Sequence, residues 1–420
     1  MLRTCRLLIT FAITLATCVQ AVAQLTPTYN DQLIGTVPRD DGMGSVTLAV
    51  DIYKPVGVTT PTPVVLWIHG GGWQSGTYNN VPQFLAPLLQ QGISIASARY
   101  RLSGEAIFAA QIHDVKGAVR FLRANASTYG LDPRRVGAWG SSAGAHLAAL
   151  LGTSGGVAAA EGNSGGNLSQ SSRILTAIDF FGPTDILNMQ LDVTNPPGSS
   201  INHDAPTSPG PSKPISCDSG EGIGVLRANQ NNPNPPFPQK MALVNLANPI
   251  THVDATDPVM YVAHGTSDNV VPLRQSTKLH NALTTAGVPH AYNEVLGAGH
   301  GALDAATEAA ARAFLISELT RPFGDATRDG RVDLDVFYVL AANFGQSNRG
   351  WRQGDFTADG VVNLDDFNLL ASNFGLSAGA SIQGTSVPEP SGITLAILLA
   401  NAALRRRAAR WPRRYHVPRA

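Results

Sequence analysis

The run Arg135-Val136-Gly137-Ala138-Trp139-Gly140-Ser141-Ser142-Ala143-Gly144-Ala145-His146 leaves a chain few ways to fold. Val136 to Trp139 reads as a short buried strand, and the Ala- and Leu-rich segment from Ala143 to Leu151 as a helix leaving it at once. Between them stands Gly-x-Ser-x-Gly, with Gly140 and Gly144 flanking Ser142 where larger side chains would clash. A strand, a sharp turn and a helix in that order lift one hydroxyl above the carboxyl edge of a sheet. Five residues alone are weak evidence. Their weight depends on what the other residues supply.

The flanking segments supply a sheet. Ser45 to Tyr53 alternates as an early strand, and Val64 to Ile68 and Gly92 to Ala98 are continuous apolar runs suited to burial on both faces. Ile112, Val115, Val119 and Leu122 recur at helical spacing between Ala106 and Asn125. Further strands are expected at Ile174 to Phe181, Val259 to His264 and Tyr292 to Leu296. Helices are expected from Gln275 to Ala286 and from Leu303 to Leu319. Strands alternating with helices imply an α/β domain over residues 24–321, a mostly parallel sheet with helices on both faces. Residues 192–239 interrupt the rhythm. They are rich in Pro, Asn, Ser and Gly without periodicity, and are expected to be a lid over Ser142 or disordered chain.

Order and spacing strengthen the elbow. The strand ending at His264 runs into Gly265-Thr266-Ser267-Asp268, which places Asp268 just past a strand's carboxyl end. The strand ending at Leu296 runs into Gly297-Ala298-Gly299-His300-Gly301, which exposes His300 on a turn. Ser142, Asp268 and His300 therefore follow the chain order of a nucleophile, an acid and a base gathered at one sheet edge. A serine hydroxyl is a poor nucleophile until a base takes its proton; His300 is that base, and Asp268 would fix its tautomer. His69-Gly70-Gly71-Gly72-Trp73, directly after the Val64–Ile68 strand, can offer unobstructed backbone N–H groups. Gly71, Gly72 and Ala143 are assigned to an oxyanion hole.

Several rivals are set aside. His69 and His146 read as structural, and His264, inside a strand, as a satisfied core residue. His113-Asp114 lies within a helix and suggests local contacts. Asp185 is the best competing acid but precedes the 192–239 insertion; Asp254 and Asp257 are rivals of similar weakness. Cys217 has no neighbouring base. Arg3 and Arg6 before residue 24, and seven arginines without an acid after residue 390, leave a body with nine more acidic than basic residues, although the formal net charge is zero. Such a body lacks the basic face of nucleic-acid binding.

Taken together, His69-Gly70-Gly71-Gly72-Trp73, Tyr100-Arg101-Leu102-Ser103-Gly104-Glu105-Ala106, Gln111 to Lys116, Tyr129-Gly130-Leu131-Asp132-Pro133, Trp139 to Gly144 and Phe181 to Asp185 resemble secreted bacterial α/β-hydrolases. The nearest group is the esterases and lipases similar to bifunctional acetyl-xylan/feruloyl esterases, over roughly residues 30–320. The resemblance implies hydrolysis of carboxylic esters without a catalytic cofactor, with Ser142, Asp268 and His300 at the family's triad positions. A longer, Pro- and Asn-rich stretch at 208–240 departs from it.

After Pro322 every match between Gly324-Asp325 to Asp335 and Gly354-Asp355 to Asp365 lies 30 residues apart, an internal duplication over 322–378. The repeats resemble dockerin calcium loops. Oxygen ligands at loop positions 1, 3 and 5 with Gly at 6 suit a hard cation. Asp355, Thr357, Asp359 and Asp366 form one complete set; Asp325, Thr327 and Asp329 form a weaker one, because Val336 stands where the last carboxylate belongs.

The ends concern location. Residues 1–23 read as a secretory signal, basic then apolar, with Ala21-Val22-Ala23 as a cleavage site; a membrane anchor and lipidation at Cys18 are weaker alternatives. Residues 379–386 read as a linker. Val387-Pro388-Glu389-Pro390, an apolar stretch and Arg405-Arg406-Arg407 resemble a Pro-Glu-Pro (PEP-CTERM) sorting signal. That implies an exosortase-like processing enzyme and delivery to the cell surface or beyond. The expectation is an exported serine carboxylesterase acting on polysaccharide-linked acetyl or feruloyl esters, with a cohesin-like protein as a possible partner. A prolyl-oligopeptidase-like peptidase and a catalytically inactive surface binding protein are the alternatives.

Overall fold

The structure is a computed structural model that describes residues 24–193, 201–205, 222–301 and 303–377. The segments read above as a leader, a linker and a sorting signal, and Cys217, lie outside the described residues. Among the described residues eight strands form one sheet: β1 (Tyr29–Pro38), β2 (Ser45–Tyr53), β3 (Thr62–Ile68), β4 (Ser94–Ala98), β5 (Leu131–Ser141), β6 (Thr176–Phe180), β7 (Val259–Gly265) and β8 (His290–Val295). Their order is β1-β2-β4-β3-β5-β6-β7-β8. Only the β1–β2 and β2–β4 pairings are antiparallel; β4 through β8 run parallel.

Helices cover both faces, as the alternation requires: α1 (Ala110–Ala124), α2 (Ala143–Thr153), α3 (Ile223–Ala228), α4 (Phe237–Ala247), α5 (Arg274–Thr285) and α6 (Ala305–Leu319). Period-two alternation along β3 divides the core. Val64, Leu66 and Ile68 join one cluster with Ile112, Val119 and Leu147 of α1 and α2. Val65 and Trp67 join the other with Leu315 and Leu319 of α6. The continuous apolar runs are thus strands buried on both faces.

Two features depart from the sequence reading. β1 is absent from the expectations because it carries no apolar run: Asn30, Asp31 and Gln32 open it, Leu33 is 61% exposed, and its register shifts twice against β2. Edge strands need only half a core face. The 192–239 insertion is also more regular than its composition suggests, since α3 lies inside it and α4 begins in it. Leu226 and Val244 bury into the main core, so tertiary contacts organise what local propensity does not.

The duplicated segment is a separate small core. α7 (Leu334–Asn343) and α8 (Leu364–Asn373) pack through Val332/Val362, Leu340/Leu370 and Ala326/Phe356, pairs 30 residues apart. Val336 is wholly buried there, so the first loop spends its twelfth position on packing. This unit sits at the amino ends of the parallel strands. Phe323 lies under the guanidinium groups of Arg134 and Arg135 at 4.2 and 4.1 Å, and Gln353 Nε2 donates to the Ala255 carbonyl at 2.8 Å.

Candidate active site

The elbow forms at the end of β5. Ser142 takes φ 54° and ψ −123°, a left-handed conformation a side chain rarely adopts, and its N–H donates to the Phe180 carbonyl at 2.9 Å. The two flanking glycines explain how this is possible. A Cβ on Gly140 would stand 2.1 Å from the Gly144 carbonyl oxygen, and one on Gly144 would stand 2.0 Å from that of Ile68. Strand and helix therefore approach each other, and β3, more closely than any side chain allows.

Tertiary structure brings the three distant residues into one hydrogen-bonded chain. His300 Nε2 lies 3.0 Å from Ser142 Oγ, and His300 Nδ1 lies 2.8 Å from Asp268 Oδ2. With the carboxylate accepting from Nδ1–H, Nε2 presents its lone pair to the serine hydroxyl. Asp268 is itself fixed on both oxygens. Oδ1 accepts from the N–H groups of Val270 and Val271 at 2.8 and 2.9 Å. Burial alone would push this carboxyl up. The hydrogen bonds and charges of His264 and His300 outweigh it and hold the group well below the usual carboxylate range.

His264 is the satisfied core residue that the sequence suggests, with one contact beyond that reading. It is wholly buried and satisfied, by Ser276 Oγ at 2.7 Å and the Val271 carbonyl at 2.9 Å, but its Nε2 also lies 3.2 Å from Asp268 Oδ2. It is a second imidazole behind the acid, four residues upstream of it. The spacing His264–Asp268 across a strand end was the available signal, and the apolar run around it concealed it.

The other histidines support the His69–Trp73 loop. His69 stacks on Tyr100 at 4.4 Å, and Tyr100 Oη donates to the His69 carbonyl at 3.0 Å. His146 Nδ1 accepts from Trp73 Nε1 at 3.2 Å, while its Nε2 faces the Ala247 carbonyl at 2.7 Å. Burial pushes His146 down to about 4, which keeps it neutral and in the tautomer these two bonds need. The loop so held places Gly71 and Gly72 on the same cavity as Ser142 and Ala143. Ala143 is the first residue of α2, where an N–H has no acceptor within the helix.

Asp114 corrects another expectation. Its contacts are long-range: Arg101 grips it through Nε and Nη2, each at 2.8 Å, and Ser164 Oγ donates to it at 2.6 Å. The helix position suggested local bonding, but the pair instead fastens the Tyr100 loop to α1. Asp185 takes Lys278 Nζ at 2.8 Å, and Asp192 takes the same ammonium at 2.6 Å, so both acids tie residues 185–192, which lead into the insertion, to α5 rather than reach His300. Asp254 and Asp257 lie at the opposite pole, where Asp257 Oδ2 accepts the Asp254 N–H at 2.9 Å.

The cavity over Ser142 encloses about 860 Å³ and is walled largely by apolar groups, among them Trp67, Phe84, Phe180, Met189 and Leu303. Ile201 and His203 of the insertion also line it. Among the described residues no three His, Cys, Asp or Glu side chains converge to hold a metal ion, here or in the duplicated unit.

Comparison with known proteins follows this geometry. A carbohydrate esterase from gut microbiota, solved in truncated form, is 29% identical with a TM-score of 0.56, over 70% of this chain and 100% of that one. A bifunctional GH43-CE protein of Bacteroides eggerthii is 33% identical with a TM-score of 0.54, over 64% of this chain and 36% of that one. Esterase LipQ of Mycobacterium tuberculosis is 27% identical over 262 residues, 62% of this chain and 54% of LipQ. An AB hydrolase superfamily protein of Schizosaccharomyces pombe is 34% identical over 133 residues, 31% of this chain and 38% of that protein. The chain thus spans about half or less of these curated relatives. Homologues carry the names esterase and carboxylic ester hydrolase, and the fold is that of the α/β-hydrolases. The BD-FAE family description matches residues 50–212 and 227–283, more than half of the chain, and the protein belongs to that family.

Proposed function

We propose that the chain is a serine carboxylesterase in which Ser142 is the nucleophile, His300 the general base and acid, and Asp268 the orienting acid. Ser142 Oγ attacks the ester carbonyl carbon as its proton passes to His300 Nε2, and Asp268 stabilises the imidazolium. The N–H groups of Gly71, Gly72 and Ala143 receive the oxyanion. His300 returns the proton to the departing alcohol, and water then repeats the sequence on the acyl-serine. The observation that carries this reading is the continuous chain Ser142–His300–Asp268 opening on a cavity of about 860 Å³.

Carbohydrate-esterase neighbours support carbohydrate esters as substrates, and the sequence resemblance narrows these to acetyl or feruloyl esters of polysaccharides. The test uses the purified protein on p-nitrophenyl acetate, acetylated xylan, methyl ferulate and a chromogenic peptide, beside Ser142→Ala. Ester turnover abolished by the substitution supports the reading. Peptide cleavage alone would favour a prolyl-oligopeptidase-like peptidase, and inertness of the unsubstituted protein a surface binding role.

The same proposal extends to location and calcium. The leader exports the protein, the Pro-Glu-Pro tail delivers it through an exosortase-like enzyme to the cell surface, and the duplicated unit is a dockerin-like module able to meet a cohesin-like partner. In its second loop Asp355, Thr357, Asp359 and Asp366 are all oxygen donors, the set a hard cation prefers. Asp355 and Asp366 are both buried, and burial together with the Asp366 charge pushes Asp355 up to about 7. A bound calcium ion would neutralise that repulsion. The first loop fits poorly: Arg321 Nη1 already donates to Asp325 at 2.8 Å, and Val336 is core, which leaves Thr327 and Asp329 without the other carboxylates. Thermal melting during calcium titration decides, and no shift at millimolar calcium would end this part.

A further inference from the structure

Among the described residues of the insertion, one polar side chain, that of His203, lines the cavity, and it is fixed there. Asn202 to Asp204 is pinned from two sides. The His203 N–H donates to Gln190 Oε1 at 2.7 Å. On the other side Arg227 of α3 grips both carboxylate oxygens of Asp204, Nη1 reaching Oδ1 at 2.8 Å, and the same Nη1 donates to the Leu187 carbonyl at 2.9 Å. Gly222 seats against this turn so closely that a Cβ there would stand 1.8 Å from the Asp204 carbonyl oxygen. Three anchors on the turn from Asn202 to Asp204 are more than a passive cover needs.

What they hold is the imidazole of His203. It is 2% exposed and lines the cavity with Ser142, His300, Val270 and Val271. Neither ring nitrogen has a partner in hydrogen-bond geometry. Burial pushes His203 down, opposed by the nearby Val270 carbonyl, which does not reach hydrogen-bond geometry, and by the charges of Asp204 and Asp268, so the neutral ring is favoured. A neutral imidazole carries one N–H donor and one lone-pair acceptor. Leaving both unmade in a buried site is costly unless a ligand or water completes them. A hydroxyl, able either to donate or to accept, suits whichever of the two nitrogens it meets in either tautomer.

We propose that His203 is a specificity-determining residue that hydrogen-bonds a hydroxyl group of the substrate, so that the insertion selects hydroxyl-bearing esters over their plain alkyl counterparts. This rests on the esterase reading of the Ser142 site. The hydroxyl can belong to the alcohol portion, as in a partly acylated sugar, or to the acyl portion, and matched substrates separate the two sources.

The full chain is assayed on ethyl acetate, 2-hydroxyethyl acetate and ethyl glycolate, in the native sequence and as His203→Phe and His203→Gln. The readout is the kcat/KM ratio of each hydroxylated ester to ethyl acetate. One ratio is expected to exceed unity in the native protein and to fall about tenfold in His203→Phe, the scale of one net hydrogen bond lost. His203→Gln, which keeps a donor and an acceptor, should restore much of it, and it remains informative if the Phe variant melts early. Which ratio moves identifies the portion that carries the hydroxyl. Ratios unchanged in both variants would overturn the assignment of His203 and leave the esterase reading intact. A native protein inert on all three esters would overturn the reading of the site itself.

Discussion

Asp268→Asn is the perturbation that most directly probes the hydrogen-bonded chain, because the site dictates how the new carboxamide must turn. Oδ1 of Asp268 is held by two backbone donors, Val270 and Val271. The single oxygen of Asn must stay there, so its NH₂ group replaces Oδ2 and faces His300 Nδ1 and His264 Nε2. A donor facing Nδ1 selects the His300 tautomer with its proton on Nε2. That proton occupies the lone pair that must take the Ser142 proton. The expected loss in kcat is about 10³–10⁴-fold, or ~4–5.5 kcal/mol of transition-state stabilisation. Asp268 is not part of the cavity wall, so KM should stay within about threefold. The assay is steady-state hydrolysis of p-nitrophenyl acetate, with Asp185→Asn as the control. Asp185 bonds Lys278 and Asn188, not His300, and its variant should keep kcat within about threefold. An Asp268→Asn enzyme retaining more than a tenth of the native kcat, or an equal fall in Asp185→Asn, would refute the assignment of the acid.

Three further outcomes follow from buried groups. Arg101→Ala leaves the wholly buried Asp114 carboxylate without its guanidinium, which should cost about 3–5 kcal/mol in urea unfolding. A double variant with Asp114→Leu should recover part of that. Gly144→Ala places a methyl 2.0 Å from the Ile68 carbonyl oxygen, backbone that cannot step aside, and a loss above ~4 kcal/mol is expected by thermal melting. Asp257, pushed up to about 8 chiefly by burial, has a folded pKa above the ordinary carboxylate value of about 3.9. The fold therefore prefers the protonated acid, and stability present below the ordinary value is lost as pH rises through about 8. Asp257→Asn should flatten the decline in melting temperature between about pH 4 and 8; an unchanged slope would show that Asp257 is not its source.

Local chemistry already determined the frame of this protein. The apolar runs at Val64–Ile68 and Val259–His264 could only be buried strands, and both are. Gly140 and Gly144 permitted the turn at Ser142, and the order Ser142, Asp268, His300 placed three reactive groups at strand ends on one sheet edge. Those signals are short-range, carried by periodicity and by which side chains a turn tolerates.

The tertiary structure decided what the strand ends meet. Whether His300 Nδ1 reaches Asp268 at 2.8 Å, whether His264 backs the same carboxylate, and whether Asp114 seeks Arg101 all depend on loops closing across the sheet. The insertion is the clearest case. Its Pro- and Asn-rich composition carries no period, yet Arg227, Gln190 and Asp204 fix His203 over the cavity through bonds spanning 13 to 40 residues. Such pairings leave no trace in local sequence, because a charge or an amide looks the same before and after it finds its partner.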